Sequence, residues 1–138
     1  MAITKQKGDI AEAYVVYFLK QHGFNVLIPW GEDNRYDIVS ERNGIFKRIQ
    51  VKYATPKNGA IEIRLRSCNN YKVMHYSTND VDIIAVYSPK PDKIYFVPLN
   101  CVKNRSICKL RLRPAKNNQK KFIVPALKYE FRFDLLKK

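Results

Sequence analysis

The dipeptide Asn43-Gly44 sits between two runs rich in β-branched and aromatic residues, Tyr36 to Glu41 and Ile45 to Ala54. A two-residue hairpin loop needs positive φ at both central positions, which Asn tolerates and Gly adopts freely, so Asn-Gly here specifies a β-hairpin and its register. Arg42 then faces Ile45, and stepping outward pair by pair brings Asp37 opposite Gln50. Side chains alternate between the faces of a strand, so Lys52 shares a face with Gln50 while Ile49 and Val51 point the other way into apolar packing. Asp37, Gln50 and Lys52 are therefore expected in one polar cluster, with a β-bulge as the main threat to that register.

Upstream, Thr4 to His22 carries apolar residues at helical spacing. Ile10, Ala13, Tyr14, Tyr17 and Phe18 form the expected buried stripe, and Val16 and Leu19 a second row on the side of Glu12. Glu12 is then a carboxylate on an otherwise inward face, and Gly23 stops the helix. Phe24 to Pro29 reads as a strand and Trp30 to Arg35 as a loop. Further on, Ile61 to Ser67 alternates as one strand, and Asp82 to Ser88 pairs with Ile94 to Leu99 across Pro89-Lys90-Pro91-Asp92. The tail offers a strand at Leu110 to Arg113, a polar turn over Asn117 to Lys121 and a last strand near Tyr129 to Phe133. Further helix fits between Asn70 and Asn79 or after Leu99. A leading helix followed by strands, without linker or low-complexity segment, predicts a single mixed α/β (α+β) domain over residues 1–138.

Lys and Arg number 26 against 12 Asp and Glu, and a net charge of +14 on 138 residues implies a polyanionic partner, nucleic acid foremost. An anionic membrane is the weaker candidate, since no apolar run approaches the ~20 residues of a spanning helix. The first residues lack the apolar core of a signal peptide, which predicts a cytoplasmic protein. Cys68, Cys101 and Cys108 have no CxxC spacing and lie far from His22 and His75, so they read as reduced thiols rather than a zinc site.

Between Asp92 and Glu130 every charged residue is basic, as suits a surface that contacts phosphates. Arg64 and Arg66 share one strand face after Glu62, and a two-stranded ribbon from this region fits a major groove. The amides Asn58, Asn69 and Asn70 suit base edges, and Arg35, Lys57 and Lys72 complete the candidate DNA contacts. The plainer alternative for any single one of them is a residue on a solvated basic face.

An Asp carboxylate beside an amide oxygen offers hard oxygen ligands suited to Mg²⁺. A nearby lysine can position or deprotonate a water, or balance charge on a pentavalent phosphorus, so the cluster suits phosphodiester hydrolysis. The plainer reading pairs Asp37 with Arg35 and leaves Gln50 and Lys52 on a solvated sheet face.

The order Glu12, Asp37, then Gln50-Val51-Lys52 resembles the core of the PD-(D/E)XK nucleases, a superfamily that includes Holliday-junction resolvases, restriction enzymes and intron-encoded homing endonucleases. The stretches Lys7-Gly8-Asp9-Ile10-Ala11-Glu12, Arg35-Tyr36-Asp37, Ile49-Gln50-Val51-Lys52, Arg64-Leu65-Arg66-Ser67 and Asp82-Ile83-Ile84-Ala85-Val86-Tyr87 most resemble the group I intron homing branch. That resemblance implies a mixed central β-sheet flanked by helices and a metal-dependent DNA endonuclease using Mg²⁺, with Mn²⁺ able to substitute. It also implies a double-stranded DNA target and a homo-oligomer, dimer or tetramer. Carried over residue by residue, it makes Asp37 the central metal ligand, completed by Gln50 and the Val51 carbonyl. Lys52 assists the nucleophilic water, and Glu12 orients it or acts as an outer ligand.

Gln50 stands where the superfamily usually has Glu or Asp, which lowers the site's negative charge. Three alternatives follow: a Holliday-junction resolvase of the same superfamily, a catalytically decayed DNA-binding protein, and an RNA-binding structural protein with no role for Asp37.

Overall fold

A computed structural model describes residues 4–69, 72–75, 77–102, 106–113 and 124–130. Helix α1 spans Thr4–Gln21 and ends where Gly23 takes a φ of 85°, which lets the Phe24 N–H donate back to the Leu19 carbonyl at 3.0 Å. Its buried face is Ala11, Val15 and Leu19, flanked by half-buried Glu12, Val16 and Phe18. The expected stripe is thus displaced around the helix: Ile10, Ala13, Tyr14 and Tyr17 lie on the exposed side. Small Ala11 and short Val15 let the helix settle close to the sheet. Tyr14 instead lies at the rim, stacked on Tyr87 with ring centroids 4.3 Å apart.

The strands follow in order: β1 Asn25–Leu27, β2 Ile38–Arg42, β3 Ile45–Tyr53, β4 Ala60–Arg64, β5 Arg66–Asn69, β6 Lys72–His75, β7 Ile83–Ser88 and β8 Lys93–Pro98. A single helical turn, α2 at Leu99–Val102, precedes β9 Ile107–Arg111, β10 Val124–Pro125 and a 3₁₀ turn at Ala126–Tyr129. Asn43 and Gly44 take φ of 54° and 79°, and β2 pairs with β3 from Arg42↔Ile45 to Ile38↔Ile49, as the turn requires.

Three segments differ from the sequence expectation. The run Ile61 to Ser67 is two strands, because the chain turns at Leu65, whose N–H donates to the Ser106 carbonyl at 2.8 Å. Among the described residues of 70–79 there is strand β6 and no helix, whereas the helix after Leu99 is present. Tyr129 closes a 3₁₀ turn rather than opening a strand; residues 131–133 and 117–121 lie outside the described residues.

The central sheet has the order β1-β2-β3-β7-β8, with β3 and β7 parallel and the other pairs antiparallel. Helix α1 covers one face over Ile38, Ile49, Val51, Ile83, Ala85 and Phe96. A second sheet, β10-β9-β4, covers Ile84, Val86, Tyr95 and Val97 on the opposite face. Covered on both sides, β7 is buried along its whole length and reads as an apolar run from Ile83 to Tyr87 instead of alternating. Strands β5 and β6 form a separate hairpin within the crossover from β3 to β7. No described helix is long and apolar enough to cross a membrane.

Candidate active site

Residues of one parity in a strand direct both N–H and C=O to the same edge. Ile49 and Val51 direct theirs toward β2, while Gln50 and Lys52 pair on the other edge with Ile84 and Val86 of β7. The β2 ladder stops at Ile38↔Ile49, one pair short of the expected Asp37–Gln50 pair. At Asp37 the N–H still donates to the Ile49 carbonyl at 2.9 Å, but the carboxylate Oδ2 accepts the Val51 N–H at 2.8 Å. Where β2 departs, that N–H would otherwise lose its ladder partner, and the carboxylate takes the place of a strand. Asp37 is thereby fixed at an open edge of β3, toward which the Val51 carbonyl also points.

Gln50 and Lys52 are half-buried and alternate with buried Ile49 and Val51, so they stand on the face away from α1. Glu12 approaches from α1, on the side of the helix next to its buried row. Burial raises the Glu12 pKa above the ordinary carboxylate range, and the charges of Asp37 and Asp9 raise it further. Burial likewise pushes Asp37 up, outweighing the Val51 N–H and the Lys52 ammonium, which pull it down. Two partly buried carboxylates in each other's field, Glu12 and Asp37, leave room for a cation between them.

That place, and the donors around it, fit a divalent cation. The Asp37 carboxylate, the Val51 carbonyl, the Gln50 amide and Glu12 are all hard oxygen donors. Among the described residues no three His, Cys, Asp or Glu side chains gather in a metal-binding group. An ion here would therefore depend on amide and backbone oxygens, in keeping with glutamine at position 50.

Lys52 also lines a cleft of about 540 Å³ that continues toward the second sheet. Its walls include Lys57, Asn58, Arg64, Lys109 and Arg111, with Glu62 among them. Glu62 faces Lys109 in the β4–β9 ladder, and Ile61, Ile63, Cys108 and Leu110 of the same strands are buried beneath. Lys57, Asn58 and Arg64 thus join the hairpin cluster through Lys52. Arg35 does not line this cleft; it lies 3.8 Å from Asp80 rather than on Asp37. Arg66, Asn69 and Lys72 occupy the β5–β6 hairpin, in the pairs Arg66↔His75 and Asn69↔Lys72, and Asn70 lies outside the described residues. Cys101 and Cys108 are free thiols.

Lys109 and Arg111 were legible only as part of a basic run, since nothing local tells which alternate residues face outward. A second feature that spacing does not reveal is a clamp on the other edge of β3. Asp82 accepts the Arg48 N–H at 2.8 Å and both arms of its guanidinium at 3.1 Å. Arg48 also donates to the Thr78 and Asn79 carbonyls, tying the segment before β7 to β3. The Arg48 guanidinium and N–H more than offset burial and hold Asp82 below its usual pKa.

This arrangement has counterparts among known proteins. The sequence matches the PD-(D/E)XK endonuclease family over residues 2–132, and the chain belongs to that family. The fold is similar to that of the bacterial homing endonuclease I-Ssp6803I, with a TM-score of 0.74 and 25% identity, covering 94% of this chain and 89% of the other. A looser likeness, TM-score 0.49 at 16% identity over 76% of this chain and 84% of the other, is to Hjc of Archaeoglobus fulgidus, a Holliday junction resolvase. In sequence, Protein 5.3 of Escherichia phage T7 is 31% identical over 83 residues, 57% of this chain and 68% of the phage protein. Family membership makes the chain a nuclease and DNA its partner, and nucleases of this family generally depend on divalent metal ions.

Proposed function

We propose that this chain is a site-specific endonuclease of the homing type, which hydrolyses phosphodiester bonds in both strands of duplex DNA at a long recognition site. The observation that carries the reading is Asp37, anchored on the Val51 N–H at the open edge of β3, with Lys52 shared between it and the basic cleft. Resemblance to a homing endonuclease over 94% of the chain supports the finer assignment.

Asp37, Gln50 and the Val51 carbonyl would hold the cation, with Mg²⁺ favoured by oxygen donors and Mn²⁺ able to replace it. Once bound, such an ion supplies Lewis-acid charge to the scissile phosphate and acidifies a water. The remaining work falls to the chain itself. The Lys52 ammonium orients the attacking water and offsets charge building on phosphorus. Glu12, with its raised pKa, accepts a proton from that water or orients it through a hydrogen bond. Lys57, Arg64, Lys109 and Arg111 hold the DNA phosphates along the cleft. Because one such site cuts one strand, cutting both strands calls for a homo-oligomer, a dimer or tetramer.

Incubation with plasmid DNA carrying random inserts, with and without Mg²⁺, followed by sequencing of cut ends, tests this. Defined ends within a long shared sequence are expected, and Lys52→Ala should lower cutting by about 10²-fold while DNA affinity stays. Wild-type protein inert with every divalent ion would mean a decayed nuclease. Preference for a four-way junction over any linear duplex would mean a resolvase.

A further inference from the structure

Where β7 turns into β8, on the face of the central sheet that carries α1, lies a cleft of about 410 Å³ lined by two kinds of side chain. Helix α1 contributes the rings of Tyr14, Tyr17 and Phe18, and the strand turn and the end of the 3₁₀ segment contribute Asp92, Lys93 and Glu130. Tyr87 and Ile94, both buried, complete the lining. The rings have fixed neighbours. Tyr14 stacks on Tyr87 at 4.3 Å, Gln21 donates to the Tyr17 hydroxyl at 3.2 Å, and Phe18 packs on Phe96 at 6.0 Å between ring centroids.

Charge indicates what such a cleft takes. Lys93 is paired with Glu130, whose backbone bridges to Tyr95 of β8. Asp92 accepts the Tyr87 hydroxyl at 2.6 Å, and burial together with that bond raises the phenol above its usual pKa, so the hydroxyl stays neutral. Two carboxylates against one ammonium leave surplus negative charge here, on a chain of +14. A phosphate would meet that surplus, and the cations suited to it line the other cleft, around Lys52 and Lys109. A compact metal ion would need a dense set of oxygen donors, which aromatic rings do not offer. Tyrosine faces beside a carboxylate instead attract a weakly hydrated organic cation, which is drawn to the negative face of each ring.

We propose that this cleft binds a small organic cation with an alkylated ammonium head, its charge beside Asp92 and its alkyl groups against Tyr14, Tyr17 and Phe18. The site goes beyond the nuclease reading and does not depend on it. It is also apart from the DNA-binding cleft, which is built on the second sheet.

Titration of the full chain with choline, followed at the backbone amides by heteronuclear NMR, tests this. The control is choline's neutral isostere, in which a tert-butyl group replaces the trimethylammonium head. Choline is expected to give saturable shifts at Tyr14, Tyr17, Asp92 and Ile94, and the neutral isostere to bind about tenfold more weakly or worse. Asp92 has a φ of 64°, which asparagine tolerates, and an amide oxygen still accepts the Tyr87 hydroxyl, so Asp92→Asn removes charge and keeps the turn. Tyr17 is 63% exposed, so Tyr17→Ala removes a ring without opening the core. Each variant should weaken choline binding by about tenfold, whereas Tyr17→Phe should bind as wild type does. The absence of saturable shifts at these amides, equal binding of the neutral isostere, or wild-type affinity in both Asp92→Asn and Tyr17→Ala would overturn the proposal. So would binding only of a peptide that bears trimethyl-lysine and not of free choline. These measurements use neither DNA nor divalent ion, so a failed cation site and a failed nuclease assignment are told apart.

Discussion

Asp37 and Asp82 lie on opposite edges of the same strand, and each accepts a β3 backbone N–H at 2.8 Å. There the likeness ends. Asp82 is wrapped by the Arg48 guanidinium, and its pKa is lowered. Asp37 has Glu12 and Lys52 in its field instead of a clasping arginine, and burial raises its pKa. The same backbone anchor thus serves two ends. A carboxylate matched by its own guanidinium is a fastener, whereas one held rigid with its charge unmatched is prepared for something that arrives later.

The largest effect expected to break this contrast is on catalysis. Asp37→Asn keeps an oxygen for the Val51 N–H, so it should leave the fold intact, with stability unchanged or raised by up to about 1 kcal/mol. Cleavage should fall by roughly 10³-fold. Parallel kinetics and thermal melts check both halves of that statement, and a variant that cleaves normally would return Asp37 to a structural role.

Asp82→Asn should do the reverse. It should cost about 1–2 kcal/mol, since the pair is partly solvated, and leave cleavage of the folded fraction near wild type. Loss of activity without loss of stability would refute the division between the two aspartates.

Glutamate at position 50 sharpens the comparison by adding charge on the side of Asp37. Gln50→Glu should tighten divalent-ion binding by on the order of tenfold, measurable by calorimetry. Metal-free protein of this variant should be less stable at neutral pH.

The smallest effect is on pH dependence, and its sign differs between the two aspartates. For Asp37 and Glu12 the folded pKa lies above the unfolded one. Their contribution to the stability of metal-free protein is full below the unfolded value and is lost as pH rises through the raised folded value. Asp82 has a depressed folded pKa, so its contribution is present above the unfolded value and lost as pH falls through the folded one. Mild acidification from neutrality should therefore stabilise the metal-free chain slightly and abolish the extra stability conferred by a divalent ion. Melts with and without Mg²⁺ across that window check it, and Asp37→Asn should flatten both trends.

The hairpin was legible because one dipeptide dictated it: positive φ at Asn43 and Gly44 fixed five pairs outward to Ile38↔Ile49. What the turn could not convey was that β2 ends before Asp37, because strand termination depends on the chain's route from Trp30 and not on pairing rules. Lys52 nevertheless lies in the field of Asp37, whose direct partner is the Val51 N–H rather than Gln50. On α1 a periodic reading gave weight to tyrosines, which carry most apolar area, whereas the sheet selected Ala11, Val15 and Leu19, which allow close approach. Arg48 and Asp82 are 34 residues apart and unremarkable in sequence; only the parallel crossover brings them together.

That crossover has a consequence for where such a chain can vary without disturbing its core. Most parallel pairs are joined by a helix packed on the sheet, where any alteration disturbs the core. Here β3 and β7 are joined through β4 and the β5–β6 hairpin, while the Arg48–Asp82 clamp secures the returning end. The ribbon is thus an insertion set apart from the strands that carry Asp37 and Lys52, so a change of residue in it reaches them only through its fastened ends.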